Sequence, residues 1–132
     1  MIPVFLSADQ ILAIHRRMID EFGGMGGVRD PGLLHSAISM PAARFEGEYL
    51  HPTIPAMAAA YLFHICRNHP FMDGNKRTAL AACEVFLIVN GMPLQSDDRR
   101  IEDMTTGAAS GEISKDEITR FFQKHTSNSP DR

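Results

Sequence analysis

Two stretches, Ile54–Cys66 and Ala79–Val89, are apolar on every side and broken only by His64 and Glu84. A helix on a domain surface would carry a polar stripe, so segments like these read as helices buried at a domain centre. Between them lies the turn His69-Pro70-Phe71-Met72-Asp73-Gly74-Asn75-Lys76-Arg77-Thr78, which crowds an imidazole, a carboxylate, a carboxamide, an ammonium and a guanidinium together. A polar turn tethered to buried helices on both sides is held near the core, and polar groups held there need partners. Any fold for this chain has to satisfy that turn.

The 132 residues amount to one domain, able to remove about two-thirds of its unfolded surface from water. A net charge of −3 and the lack of a long basic run disfavour a general nucleic-acid binder and a membrane-surface protein. Both cysteines, Cys66 and Cys83, fall in the apolar segments, which points to reduced, buried thiols in a reducing compartment. Met1–Leu6 lacks the basic and long apolar regions of a signal peptide, and no apolar run nears the ~20 residues that span a bilayer. The expected compartment is the cytoplasm.

Ser7-Ala8-Asp9-Gln10 is a capping-box pattern, followed at helical spacing by Ile11, Leu12, His15, Met18, Ile19 and Phe22. Gly23 suits the end of that helix, and Gly23–Gly27 reads as a turn rather than a phosphate loop because no strand precedes it. Asp30-Pro31 starts a short helix that Pro41 stops. Residues 41–52 are irregular. Thr53 and Pro55 open the next helix, which runs to about Asn68, and Gly74 or Asn75 opens another to Asn90. A short helix over Ser96–Thr106 follows, then one opened by the capping box Ser114-Lys115-Asp116-Glu117. No segment alternates with a period of two. The chain is therefore expected to be all-α, a single domain over 1–125 of about six helices around a central antiparallel pair, with a disordered tail at 126–132.

Lys76 and Arg77 sit in the first turn of a helix, where the macrodipole disfavours an exposed cation by ~0.3–1 kcal/mol. That placement makes sense if an anion occupies the helix end, with backbone N–H groups, Lys76 and Arg77 converging on phosphate oxygens. Gly74 would let the backbone approach closely, Asn75 could donate from its amide, and Asp73 could hold Mg²⁺. His69 is the candidate proton acceptor for an attacking hydroxyl, and Phe71 would anchor the turn in the core. Read blandly, the turn is a helix connection with Asn75 as N-cap and two solvated cations; His69 and the flanking apolar helices favour a site. Metal binding by His64, Cys66 and His69 is disfavoured because residues two apart face different sides of a helix. His15, His35, His51 and His125 stand singly and suit core or surface roles. A Walker-type loop fails for want of its first glycine, its Gly-Lys pair and a preceding strand.

The run His69-Pro70-Phe71-Met72-Asp73-Gly74-Asn75-Lys76-Arg77 resembles the motif of the Fic/Doc family, most closely its Doc (death-on-curing) branch. Gly23-Gly24, Asp30-Pro31-Gly32, Thr78-Ala79-Leu80, Asn90-Gly91 and residues 107–114 extend the resemblance over nearly the whole chain. It implies a compact helical fold in which His69 activates a protein hydroxyl, Asp73 ligates Mg²⁺, and Gly74, Asn75, Lys76 and Arg77 hold the phosphates of ATP, with Arg77 counted among the catalytic groups. Fic-type AMP transferases usually carry glycine in place of Lys76 and a second arginine in place of Leu80. The long cation fills space one phosphate needs, and the lost arginine removes a clamp on another, so the nucleotide is expected to bind reversed with its γ-phosphate toward His69. The resemblance thus implies a toxin of the Doc kind, a protein kinase acting on a threonine of elongation factor Tu. AMP transfer and a non-catalytic nucleotide- or partner-binding module are the competing readings. Fic enzymes with an internal brake carry a Ser/Thr-x-x-x-Glu-Gly/Asn helix; here the sole Glu-Gly is Glu46-Gly47, with Ala42 at the Ser/Thr position. Inhibition in trans by a Phd-like antitoxin is expected instead.

Overall fold

The computed structural model describes residues 2–126 and contains six α-helices. They are α1 (Ala8–Phe22), α2 (Pro31–Ser39), α3 (Ile54–Asn68), α4 (Asn75–Val89), α5 (Asp98–Ser110) and α6 (Lys115–His125). The fold is all-α, with α3 and α4 as the most extensively packed pair.

Local chemistry sets most boundaries. Ser7 and Ser114 each close a complete capping box, with Gln10 and Glu117 reaching back to the cap backbone. The Asp30, Thr53 and Asp97 side chains accept N–H bonds at the starts of α2, α3 and α5. Helix α3 is the axis of the core: every residue from Ile54 to Leu62 is buried, as are Ile65 and Cys66. Its alanines at 56 and 58–60 let neighbouring helices approach closely, and α2, α4, α5 and α6 all pack on it. The layer is filled by Met57, Tyr61, Phe71, Phe86, Ile118 and Phe122. Tyr61 accepts the Leu6 N–H at 2.9 Å, and burial pushes its phenol up to about 12.

Helix α2 ends at Ser39, just ahead of Pro41 as expected, and a 3₁₀ turn, Met40–Ala42, carries Pro41 within it, where its missing N–H costs nothing. Two expectations are corrected. The irregular stretch 41–52 contains a two-residue hairpin, β1 (Arg44–Phe45) with β2 (Glu48–Tyr49), too short to show alternation. Helix α5 begins at Asp98 and continues through Gly107 to Ser110. The missing Cβ of Gly107 makes room there for the Ile113 side chain, so the glycine serves packing rather than ending the helix. At the chain's end Thr126 pairs with Leu94 in a β-bridge; the remainder of the expected tail, 127–132, lies outside the described residues.

Candidate functional site

The turn 69–74 between α3 and α4 borders a cavity of about 1050 Å³. Its walls come from the end of α1 (Met18, Glu21, Phe22), from α4 (Leu80, Ala81, Glu84) and from α5 (Asp98, Ile101, Glu102, Thr105). His69, Asp73, Gly74, Asn75, Lys76 and Arg77 all line it, so the structure brings every residue singled out in the turn to one space.

Helix α4 opens onto this cavity without a side-chain cap. Its N-cap is Gly74, in the left-handed region at φ 78°, and the first intrahelical bond of the turn runs from Thr78 N–H to the Gly74 carbonyl at 2.9 Å. The N–H groups of Asn75, Lys76 and Arg77 therefore have no helical acceptor and face the helix end. A side chain at position 74 would crowd Ile19, whose Cδ1 would lie 3.2 Å from the added Cβ. Glycine answers both the backbone angle and the space.

The carboxamide of Asn75 is engaged within the turn. Its Oδ1 accepts the Phe71 N–H at 2.9 Å and one Nδ2–H donates to the Phe71 carbonyl at 3.0 Å. Asn75 is buried and staples the turn back on itself, with its backbone N–H at the uncapped helix end. It is not the N-cap of the bland reading, a place Gly74 takes.

Asp73 is exposed, and its orientation is fixed by the glycine-rich segment. Its Oδ2 accepts the Met25 N–H at 2.7 Å, leaving Oδ1 without a hydrogen-bond partner among the described residues. Gly24 allows this approach: a Cβ there would stand 3.1 Å from the Asp73 Cβ. A carboxylate with one oxygen tethered and one open suits a hard cation that keeps most of its water, as Mg²⁺ does. Behind the turn, His15 of α1 stacks its ring on Phe71 with centroids 3.8 Å apart, and its Nε2–H donates to the Asp73 carbonyl at 2.8 Å. Sequence spacing places His15 in the apolar stripe of α1 but gives no sign of this bond.

The cavity is polarised. Lys76 and Arg77 stand at the α4 N-terminus, with the Arg77 guanidinium 4.3 Å from the centroid of the Phe22 ring. Glu84, Asp98 and Glu102 line the cavity from α4 and α5. Burial, and then the Asp98 charge, push the Glu84 carboxyl above its ordinary range. An anionic ligand is thus drawn to the cationic end. Cys66, which also lines the cavity, is buried, with its thiol pushed up to about 12, chiefly by desolvation; Cys83 is buried and its thiol is likewise raised, chiefly by desolvation. Neither is a nucleophile at neutral pH.

The singly placed histidines take core and surface positions. His15 and His51 are buried, His35 is exposed, and the His125 ring lies 4.4 Å from that of Phe121. Glu46-Gly47 forms the exposed turn of the hairpin rather than part of a helix, so it is not placed as an inhibitory glutamate. Among the described residues no helix is long and apolar enough to cross a membrane.

A model of the Fic/DOC family matches residues 5–87, which takes in α1 to most of α4 and the whole turn. A protein from Escherichia phage P1 called "Protein kinase doc" is 36% identical over 119 residues, spanning 90% of this chain and 93% of its own length. One from Mycolicibacterium smegmatis called "Toxin Doc" is 42% identical over 99 residues, spanning 74% of this chain and 76% of its own length. With the family's motif lining a helix-walled cavity and this similarity running along most of the chain, the protein belongs to the Fic/Doc family.

Proposed function

We propose that this chain is the toxin of a type II toxin–antitoxin pair, a protein kinase that moves the γ-phosphate of ATP to a hydroxyl of a translation protein and so arrests translation in the cytoplasm. A threonine of elongation factor Tu is the proposed target, and a Phd-like antitoxin the proposed inhibitor. The observation that carries the reading is the uncapped N-terminus of α4, opening beside Lys76 and Arg77 into a cavity that also holds His69 and Asp73. The relatives named as a kinase and as a toxin support the same reading.

In this reading the free N–H groups of Asn75, Lys76 and Arg77, with the two cationic side chains, hold phosphate oxygens. Gly74 lets them approach. Asp73 would hold Mg²⁺ through its open oxygen, and the metal, when bound, would supply positive charge against the phosphates. His69 takes the proton of the target hydroxyl as that oxygen bonds to phosphorus and the bond to the departing diphosphate breaks. Lys76 and Arg77 hold the charge that then develops on the leaving group. Lys76 and Leu80 both line the cavity, consistent with a nucleotide turned so that its γ-phosphate faces His69.

Incubation with γ-labelled and α-labelled ATP in a translation extract, followed by mass spectrometry of the labelled protein, tests the reading. Label from the γ position on elongation factor Tu is expected; label from the α position would establish AMP transfer instead. His69→Ala should lower transfer by about 10²–10⁴-fold with the fold intact. A toxin that keeps its cellular effect after that change is a binding module. Lys76→Gly combined with Leu80→Arg should shift transfer from the γ- toward the α-phosphate. An unchanged preference would remove the orientation argument.

A further inference from the structure

We infer that Arg29 is a positioning residue for His69, holding the backbone under the imidazole in the left-handed conformation from which the side chain lines the cavity. His69 caps the end of α3 at φ 51°, ψ 53°, and among the described residues only it and Glu46 adopt positive φ without being glycine. For a residue bearing a Cβ such a conformation is disfavoured, so the surroundings must enforce it.

Arg29 supplies the enforcement. Its Nε–H donates to the His69 carbonyl at 2.7 Å and its Nη2–H donates to the Asn68 carbonyl at 3.0 Å, spanning two successive acceptors with one planar fork. The backbone continues the grip, since the N–H groups of Arg29 and Asp30 donate to the Pro70 carbonyl at 2.7 and 3.1 Å. Three carbonyls in a row, 68 to 70, are thus held by residues 29 and 30. The Asn68 side-chain amide in turn donates to the Leu33 carbonyl in the first turn of α2 at 2.9 Å.

The charge is well placed as well. The last carbonyls of α3 carry the negative end of its macrodipole, which a guanidinium neutralises. Arg29 forms no carboxylate ion pair among the described residues, where the salt bridges are Arg17–Glu21 and Arg100–Asp97. Its two carbonyl contacts are therefore its main polar engagement. The clamp comes from 40 positions away in the chain, so the His69 conformation is a tertiary property rather than a local one.

The conformational part of this inference stands on geometry alone; the catalytic part rests on the reading of His69 as proton acceptor. The full chain with Arg29→Met and Arg29→Lys tests both. Backbone and imidazole NMR shifts of His69 should report the left-handed conformation in the parent and lose it in Arg29→Met, with Arg29→Lys falling between because an ammonium lacks the fork. In the label-transfer assay, kcat should fall by about 10–100-fold in Arg29→Met, while the calorimetric Kd for Mg–ATP stays within about twofold. Unchanged His69 shifts in Arg29→Met would overturn the inference, as would a loss of ATP affinity matching the loss of kcat. If Arg29→Met does not fold, Arg29→Lys carries the same comparison. A parent chain that transfers no phosphate would defeat the kinase reading, and the NMR comparison would still decide the positioning.

Discussion

Replacing His15 by phenylalanine keeps a ring to stack on Phe71 and removes the N–H that reaches the Asp73 carbonyl. The carbonyl then loses its donor in a part-buried setting, which should cost about 1–3 kcal/mol in denaturant unfolding. Because that carbonyl belongs to Asp73, a weaker Mg²⁺ dependence of ATP binding should accompany the loss. Residues such as His15 and Asn75 mark the limit of what was legible in the candidate site. Residue type and spacing sufficed to gather His69, Asp73, Lys76 and Arg77, because cations in a helix's first turn contradict stability and so point to a ligand. The jobs of His15, Asn75 and Arg29 are all bonds to backbone carbonyls or N–H groups, and a backbone partner leaves no trace in the identity of the residue that supplies it.

Among the elements, α3 and α6 are pinned by a contact without a carboxylate. The Lys115 ammonium donates to His64 Nε2 at 3.0 Å, and Phe63 lies beside both. Desolvation, then Lys115 and His51, lower His64 to about 4; burial also lowers His51 and Lys115, while Asp116 opposes the shift at Lys115. A histidine whose folded value lies below its unfolded value of 6.5 binds its proton more readily in the unfolded chain. The contribution is therefore full above about pH 6.5 and is lost as pH falls toward 4. Thermal unfolding should show about 1–2 kcal/mol lost across that window, after discounting for the ring's partial solvation, and His64→Gln should flatten the profile. Helix starts were legible where a side chain caps its own N–H groups, as at Ser7, Asp30, Thr53 and Ser114. The extent of α5 was not: the expected helix ended at Thr106, and only the packing of Ile113 against the vacant side of Gly107 accounts for its last turn. The hairpin at 44–49 was not legible either, since two residues per strand carry no period.

For the molecule as a whole, the proposed nucleotide would stabilise the fold by binding the folded chain and not the unfolded one. Mg–ATP at a hundred times its Kd should add about 2.7 kcal/mol to unfolding, read as a rise in Tm, and Asp73→Asn should abolish most of the metal-dependent part. A Tm indifferent to Mg–ATP would count against the cavity as a nucleotide site. The folding of the glycine-rich segment onto the turn 69–74 has a consequence for handling the protein. Glycine-dense runs are where proteases ordinarily find slack chain. Here Met25 is tied to Asp73, Gly27 to Met72, Val28 to Phe71, and Arg29 and Asp30 to Pro70, so the run is one ply of a double-backed seam. Limited digestion should spare it and nick first at the bare hairpin tip around Glu46-Gly47, leaving an amino-terminal fragment that still clasps the larger piece through that seam.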